Sequence, residues 1–186
     1  MHRNEKTALL IIDMQNDVMN MVPTGRSVAP AIRRVLDFCR EKQIPVIHKL
    51  RVHRPDGVDV ERFRLELFKR EPFLVEGSTG AEIVAELRPI AGEYQVRGAR
   101  FSGFFQTDLL LILHRLGVET LVVCGVQTPN CVRSTVVDGI GYDFHTVVLS
   151  DATAAKTSEI HAANLLDMQN MGVSILTCQE WRENLT

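Results

Sequence analysis

The residues able to carry chemistry stand just after apolar runs. Thr120-Leu-Val-Val-Cys124 is followed by Gly125-Val-Gln-Thr-Pro-Asn-Cys131-Val132. Thr128 suits a helix N-cap and Pro129 the first helical position, which puts Cys131 in the first turn. Unpaired N–H groups and the positive end of the helix dipole favour a thiolate there and can hold an oxyanion. That help matters, because a thiol of pKa about 8.5 is only a few per cent ionised at pH 7. The position equally suits an inert buried cysteine, the commoner state of a free thiol. Cys124 sits inside an apolar run and reads as core, and Cys39 and Cys178 lack the helix-start setting.

Asp13 closes the first apolar run, Thr7-Ala-Leu-Leu-Ile-Ile-Asp13. It reads as a capping or solvated carboxylate, or as a general base. If the first and fourth strands are neighbours, Asp13 and Cys131 share one rim of a sheet. A carboxylate beside a thiol, with a cation nearby, is a set for nucleophilic acyl transfer. Two cations precede the relevant helix, Arg97 and Arg100 in Val96-Arg-Gly-Ala-Arg-Phe-Ser-Gly-Phe104, and both also read as surface ion-pair partners. The glycine-rich phosphate-binding patterns are absent, so no nucleotide cofactor is expected. The histidines are His2, His48, His53, His114, His145 and His161. None forms H-E-x-x-H or an Asp-x-His pair, and no metal is expected.

The elements that must position these residues alternate. Short apolar strands are expected at 7–13, 44–48, 93–97, 120–124, 145–149 and 173–176. Helices are expected after Ser27, at 81–87, after Thr107 or Asp108 up to Gly117, from Pro129 to about Gly141, and from the Thr157 cap to Gly172. Residues 51–70 are charged and read as a loop followed by a helical stretch, and Asp151 follows the fifth strand. Alternation of this kind implies an α/β fold with a parallel six-stranded sheet in Rossmann-like order 3-2-1-4-5-6. The 186 residues read as a single domain, 1–186, without repeat or linker.

Composition narrows the function. With 21 Lys+Arg against 23 Asp+Glu the net charge is -2, which gives no basic stripe for nucleic acid and no reason for a membrane surface. No apolar window is long enough to span a bilayer. Four widely spaced cysteines read as free thiols of a cytoplasmic protein.

Three segments in order give a specific resemblance: Leu-Leu-Ile-Ile-Asp13-Met-Gln-Asn-Asp17, Arg-Phe-Ser102-Gly-Phe104-Phe-Gln-Thr107-Asp-Leu109, and Val-Cys-Gly125-Val-Gln-Thr128-Pro-Asn-Cys131-Val132 followed by Leu-Ser-Asp151-Ala-Thr-Ala. Over nearly its whole length the chain resembles the isochorismatase-like cysteine hydrolases, which include nicotinamidases and ureidoacrylate- and carbamoylsarcosine-type amidohydrolases. The resemblance implies an Asp–Lys–Cys triad, with Asp13 and Cys131 matching two members. It implies a cis peptide at Val126–Gln127, with the N–H groups of Gln127 and Cys131 facing an oxyanion. In isochorismatases proper the cysteine is replaced, so its presence here argues against that activity.

Three departures are visible. The family lysine is missing from its usual place four residues before Ser102, where Gly98 stands; Arg97 is the first substitute and Arg100 the second. Arg51-Val-His-Arg-Pro55 stands where nicotinamidases carry Asp-x-His. Gln127, Pro129 and Asn130 replace commoner residues around the nucleophile. The resemblance therefore implies hydrolysis of a small amide through a cysteine thioester, with Asp13, Arg97 and Cys131 catalytic and Arg100, Phe104 and Gln127 binding substrate. A small-molecule substrate and a homo-oligomer are expected, with no cofactor and no metal. The alternatives are a nicotinamidase and a non-catalytic scaffold with a degenerate site, the latter supported by the absent lysine.

Overall fold

A computed structural model describes residues 6–185. His2 lies outside them. The elements in chain order are β1 (Thr7–Ile12), α1 (Asn16–Met21), α2 (Gly25–Glu41), β2 (Val46–Arg51), α3 (Leu65–Arg70), β3 (Tyr94–Gly98), α4 (Leu109–Leu116), β4 (Thr120–Val126), α5 (Arg133–Gly141), β5 (His145–Ala154), α6 (Ser158–Asn170), β6 (Ser174–Leu176) and α7 (Cys178–Glu183). The six strands form one sheet in the order β3-β2-β1-β4-β5-β6, and every pair is parallel.

β1 explains why the sheet takes its place inside the protein. Its residues are buried on both faces, so alternate side chains feed two separate cores. Leu9 and Ile11 pack with α1, α2 and α7 on one side. Ala8, Leu10 and Ile12 pack with α4, α5 and α6 on the other. β1 lies between β2 and β4, so the chain changes direction across the sheet there, and the crevice beyond its carboxyl end is the natural ligand position of such a fold.

Several boundaries differ from the sequence reading. β2 starts at Val46 and runs on to Arg51, adding Lys49, Leu50 and Arg51 to a strand expected to stop at His48. All six of its residues are buried, so the charged side chains are held inside. α2 begins at Gly25, before Ser27, whose hydroxyl donates to the Thr24 carbonyl within the first turn. Residues 81–87 form no α-helix, only short turns at Thr79–Ala81 and Ala85–Leu87. Thr107 supplies the hydroxyl that accepts from the Leu109 amide at the start of α4. β5 continues to Ala154 and contains Asp151, whose carboxylate accepts from the Cys178 amide and fixes α7.

Gly125 controls the approach of β4 to β1. It has φ 108°, and a Cβ there would lie 2.2 Å from the Ile12 carbonyl oxygen. Only glycine meets both conditions. Gly125→Ala is expected to lose about 3 kcal/mol or more, combining backbone strain with overpacking. Gly141→Ala, where nothing lies within 4 Å, should stay within about 1 kcal/mol of wild type. Urea denaturation of both variants checks the contrast.

Candidate active site

The carboxyl ends of β1, β2 and β4 bring a carboxylate, an ammonium and a thiol together. β1 and β2 pair so that Ile12 lies opposite Lys49, and the Asp13 amide donates to the Lys49 carbonyl at 2.9 Å. Asp13 then turns into the left-handed region at φ 50°, which Asp tolerates better than most residues. The Lys49 ammonium donates to Asp13 Oδ1 at 2.9 Å and to the Arg100 carbonyl at 3.1 Å. Both side chains are essentially inaccessible, at 0% and 1% exposure. A buried pair of this kind is tolerated because each charge offsets the other and finds donors or acceptors.

Cys131 lies in a wide π-type turn at Thr128–Val132 that leads into α5. The Val126–Gln127 peptide before it is cis. Cys131, Asp13 and Arg51 line the same cleft, so the Asp13 carboxylate and the Arg51 guanidinium both act on the charge of the thiol. Burial pushes the thiol pKa up to about 12, and the Asp13 charge adds to the rise; Lys49 and Arg51 pull it down. The helix-start setting therefore does not leave a resting thiolate, because desolvation and a neighbouring anion outweigh it.

Surrounding contacts hold the turn. Thr135 Oγ1 donates to the Cys131 carbonyl at 2.7 Å and accepts from the Gly103 amide at 2.9 Å, tying the Ser102–Phe104 segment to the Cys131 turn. Thr128 Oγ1 meets His161 Nδ1 at 2.8 Å, and His161 Nε2 meets the Ser150 carbonyl at 3.2 Å. Since a carbonyl only accepts, Nε2 carries the proton and the Thr128 hydroxyl donates to Nδ1. Gln15 clamps the neighbouring backbone, donating to the Arg51 and Ala81 carbonyls and accepting from the Arg51 amide.

The cleft over Cys131 is narrow, with a cavity volume of about 30 Å³. Asp13, Arg51, Arg64, Phe101, Gln127 and Asn130 line it, with Val126 beneath. Four residues expected at the site are thus gathered: Asp13, Cys131, Val126 and Gln127. Three stand apart. Arg97 is on the edge strand β3, two strands from β1, with its side chain 60% exposed and 4.0 Å from Glu76. It lines a separate groove with Leu50, Glu82 and Arg88. Arg100 turns its guanidinium to the Asp59 and Ala99 carbonyls and gives the cluster only its own carbonyl. Phe104 is core, stacked on Phe144, and the ring facing the cleft is Phe101.

The residues missed by sequence reasoning are Lys49, Arg51, Arg64 and Phe101. Lys49 takes the place beside Asp13 that Arg97 was expected to fill. β2 is adjacent to β1, so a side chain from its end reaches Asp13 directly. The available signal was a lysine in Val46-Ile-His-Lys49-Leu-Arg51, an otherwise strand-like run.

The donor set does not fit a metal. Among the described residues no group of three or more His, Cys, Asp or Glu is placed to hold one. Where nicotinamidases carry the aspartate of Asp-x-His, Arg51 supplies only donors. His53 is buried against Phe68 and Phe73, with its pKa lowered to about 4 by burial and by the Arg51 charge.

The chain matches the isochorismatase domain over residues 7–180. It is 44% identical over 98% of both chains to an Arabidopsis thaliana protein described as a probable inactive nicotinamidase. It is 29% identical to a ureidoacrylate amidohydrolase of Serratia proteamaculans, over 80% of this chain and 70% of the relative. A solved isochorismatase family protein from Desulfovibrio vulgaris superposes with TM-score 0.94 at 39% identity, covering 98% of this chain and 99% of that one. With its parallel sheet and with Asp13 and Cys131 at the rim where β1 meets β4, the chain belongs to the isochorismatase family of hydrolases.

Proposed function

We propose that the protein hydrolyses a small amide through a thioester on Cys131. Asp13 takes the thiol proton as sulfur attacks the carbonyl carbon. The N–H groups of Gln127 and Cys131 hold the oxyanion. The C–N bond then breaks, and Asp13 returns its proton to the leaving amine. Water, deprotonated by Asp13, attacks the thioester; the acid leaves and the thiol is restored. Lys49 offsets the Asp13 charge, and Arg51 faces the sulfur while it is anionic.

The contact of Cys131 with Asp13, and of Asp13 with Lys49, carries this reading. On this reading Lys49 stands in for the family lysine from a different strand than the one expected, beside Asp13 and Cys131. A buried lysine paired with Asp13 supports the catalytic reading over a degenerate scaffold. The name of the Serratia relative places amide chemistry within the family. The Arabidopsis relative is described as a probable inactive nicotinamidase, which supports the scaffold alternative, and the amide screen decides between the two.

A screen of small primary amides for ammonia release should find turnover that Cys131→Ala abolishes. Asp13→Asn should cut it by roughly 10²–10⁴-fold, the usual range for loss of a general base. Retention of more than half the rate in Asp13→Asn would contradict the assignment.

The raised pKa of Cys131 fixes the sign of a pH dependence. Only the thiolate is alkylated, so the iodoacetamide rate at Cys131 should climb steadily from pH 7 to pH 10 without a plateau. Lys49 lowers that pKa, so Lys49→Met should slow alkylation at every pH in this range, whereas Arg97→Ala should follow wild type. Peptide mapping gives the site, and circular dichroism the folded fraction. An Arg97→Ala effect as large as that of Lys49→Met would restore the edge-strand arginine.

Turnover should survive exhaustive dialysis against a chelator. Loss of activity restored by zinc, manganese or iron would instead favour a metal-dependent nicotinamidase.

A further inference from the structure

The Cys131 turn is held from behind by a histidine that no step of the proposed chemistry uses. Thr128 precedes Cys131 by three residues, the spacing at which an N-cap hydroxyl accepts from the N3 amide. A capping Thr128 would therefore occupy the Cys131 N–H, one of the two groups assigned to the oxyanion. The structure does otherwise. Gln127 takes the capping position, with φ -96° and ψ 145°, and no side chain caps the turn. The buried Thr128 hydroxyl instead donates to His161 Nδ1 at 2.8 Å. His161 stands in the first turn of α6, just after the Thr157 cap, and its Nε2 proton goes to the Ser150 carbonyl of β5 at 3.2 Å. Burial lowers the His161 pKa, so the ring is neutral at pH 7 and Nδ1 stays an acceptor. From this turn Gln127, Asn130 and Cys131 line the cleft, whereas Thr128 and His161 do not. His161 can then reach the reaction only through Thr128.

We infer that His161 is a positioning residue: it draws the Thr128 hydroxyl away from the Cys131 amide and keeps that amide free for the oxyanion. The inference rests on the thioester reading. A threonine hydroxyl that loses its partner turns to the local backbone, because short polar side chains compete for neighbouring N–H groups. In a buried turn the drive is strong, since an unsatisfied hydroxyl is costly. An amide already bonded to that hydroxyl is poorly placed to meet charge developing on a substrate oxygen. His161 offers the hydroxyl a better acceptor. The Ser150 carbonyl fixes the ring tautomer, so the lone pair is on Nδ1 and faces Thr128. Strand β5 and helix α6 thereby set the donor side of the turn, while Asp13 on β1 serves its thiol side.

Two reagents separate the oxyanion from the nucleophile. p-Nitrophenyl acetate passes its acetyl group to the Cys131 sulfur through a tetrahedral oxyanion and releases p-nitrophenol. Iodoacetamide alkylates the same sulfur by displacing iodide, with no oxyanion. Both rates are measured on the whole protein, with peptide mapping for the site and urea denaturation for the fold. His161→Phe removes the acceptor. It should slow acylation by about tenfold or more, toward the roughly 10²–10³-fold of losing one oxyanion donor outright, with alkylation within about twofold of wild type. Adding Thr128→Val removes the competing hydroxyl, and the double variant should return to within about threefold of wild type, a coupling that the mutant cycle isolates. Unchanged acylation in His161→Phe, an equal loss with both reagents, or a loss that Thr128→Val does not repair overturns the role. Should His161→Phe fail to fold, His161→Gln carries the same expectations, because it keeps a donor for the Ser150 carbonyl and offers no acceptor in place of Nδ1. The amide-hydrolase reading fails separately. If no small amide is turned over while the acylation contrast and its repair hold, the positioning role stands. If amides are turned over and Thr128→Val repairs nothing, the reading stands without it. A wild type that releases p-nitrophenol no faster than Cys131→Ala overturns both.

Discussion

The ion pair between Lys49 and Asp13 is the constraint around which the site is built. Two charges that leave water together must find each other, since breaking a buried pair leaves an uncompensated charge at a cost of about 3–5 kcal/mol. The pairing of β1 with β2 sets Lys49 opposite Ile12 and delivers the ammonium to the next residue, Asp13. A one-residue slip would send Lys49 to the opposite face of the sheet. The positive φ of Asp13 belongs to the same arrangement. Its amide bonds to Lys49 and its carbonyl accepts from the Gln15 amide at 2.8 Å, so both backbone groups are satisfied in a conformation that side chains usually avoid.

This pair also bears on the resting state of the Cys131 thiol. A cysteine at a helix start suggests a thiolate already present at rest. Here the sulfur is buried beside the Asp13 carboxylate, and its pKa rises to about 12. The resting group is therefore a thiol, with the Asp13 carboxylate beside it. Lys49 and Arg51 act in the opposite sense, lowering the cost of the anion that forms.

The parts of this arrangement legible in the sequence are those fixed by local pattern. Unbroken apolar runs marked β1 and β4, and their carboxyl ends carry Asp13 and Cys131. The strand order followed from alternation and from the resemblance. The cation was not legible in the same way, because its place depends on which strands are neighbours and on where β2 ends. Lys49 and Arg51 look like the start of a charged surface segment, and only tertiary pairing makes them interior. Arg97 stands one residue from the expected place before Ser102, yet sheet order puts it at an edge. Phe101 and Phe104 show the same limit: both belong to one motif, three residues apart, and only packing turns Phe101 to the cleft and Phe104 into the core.

The change at position 51 reaches further than a missing ligand. A carboxylate there would draw a cation toward the cleft, and a histidine two residues on would share it. A guanidinium reverses the field, so the same corner of the fold favours an anion. His53 is correspondingly left to packing, edge-on to Phe68 and Phe73 and neutral until about pH 4. Glu61 then has a definite part: it offsets Arg51, so that the net positive charge of the cleft comes from Arg64. Sign reversal at one strand end changes the charge that this corner accepts, while Asp13, Lys49 and Cys131 remain gathered beside it.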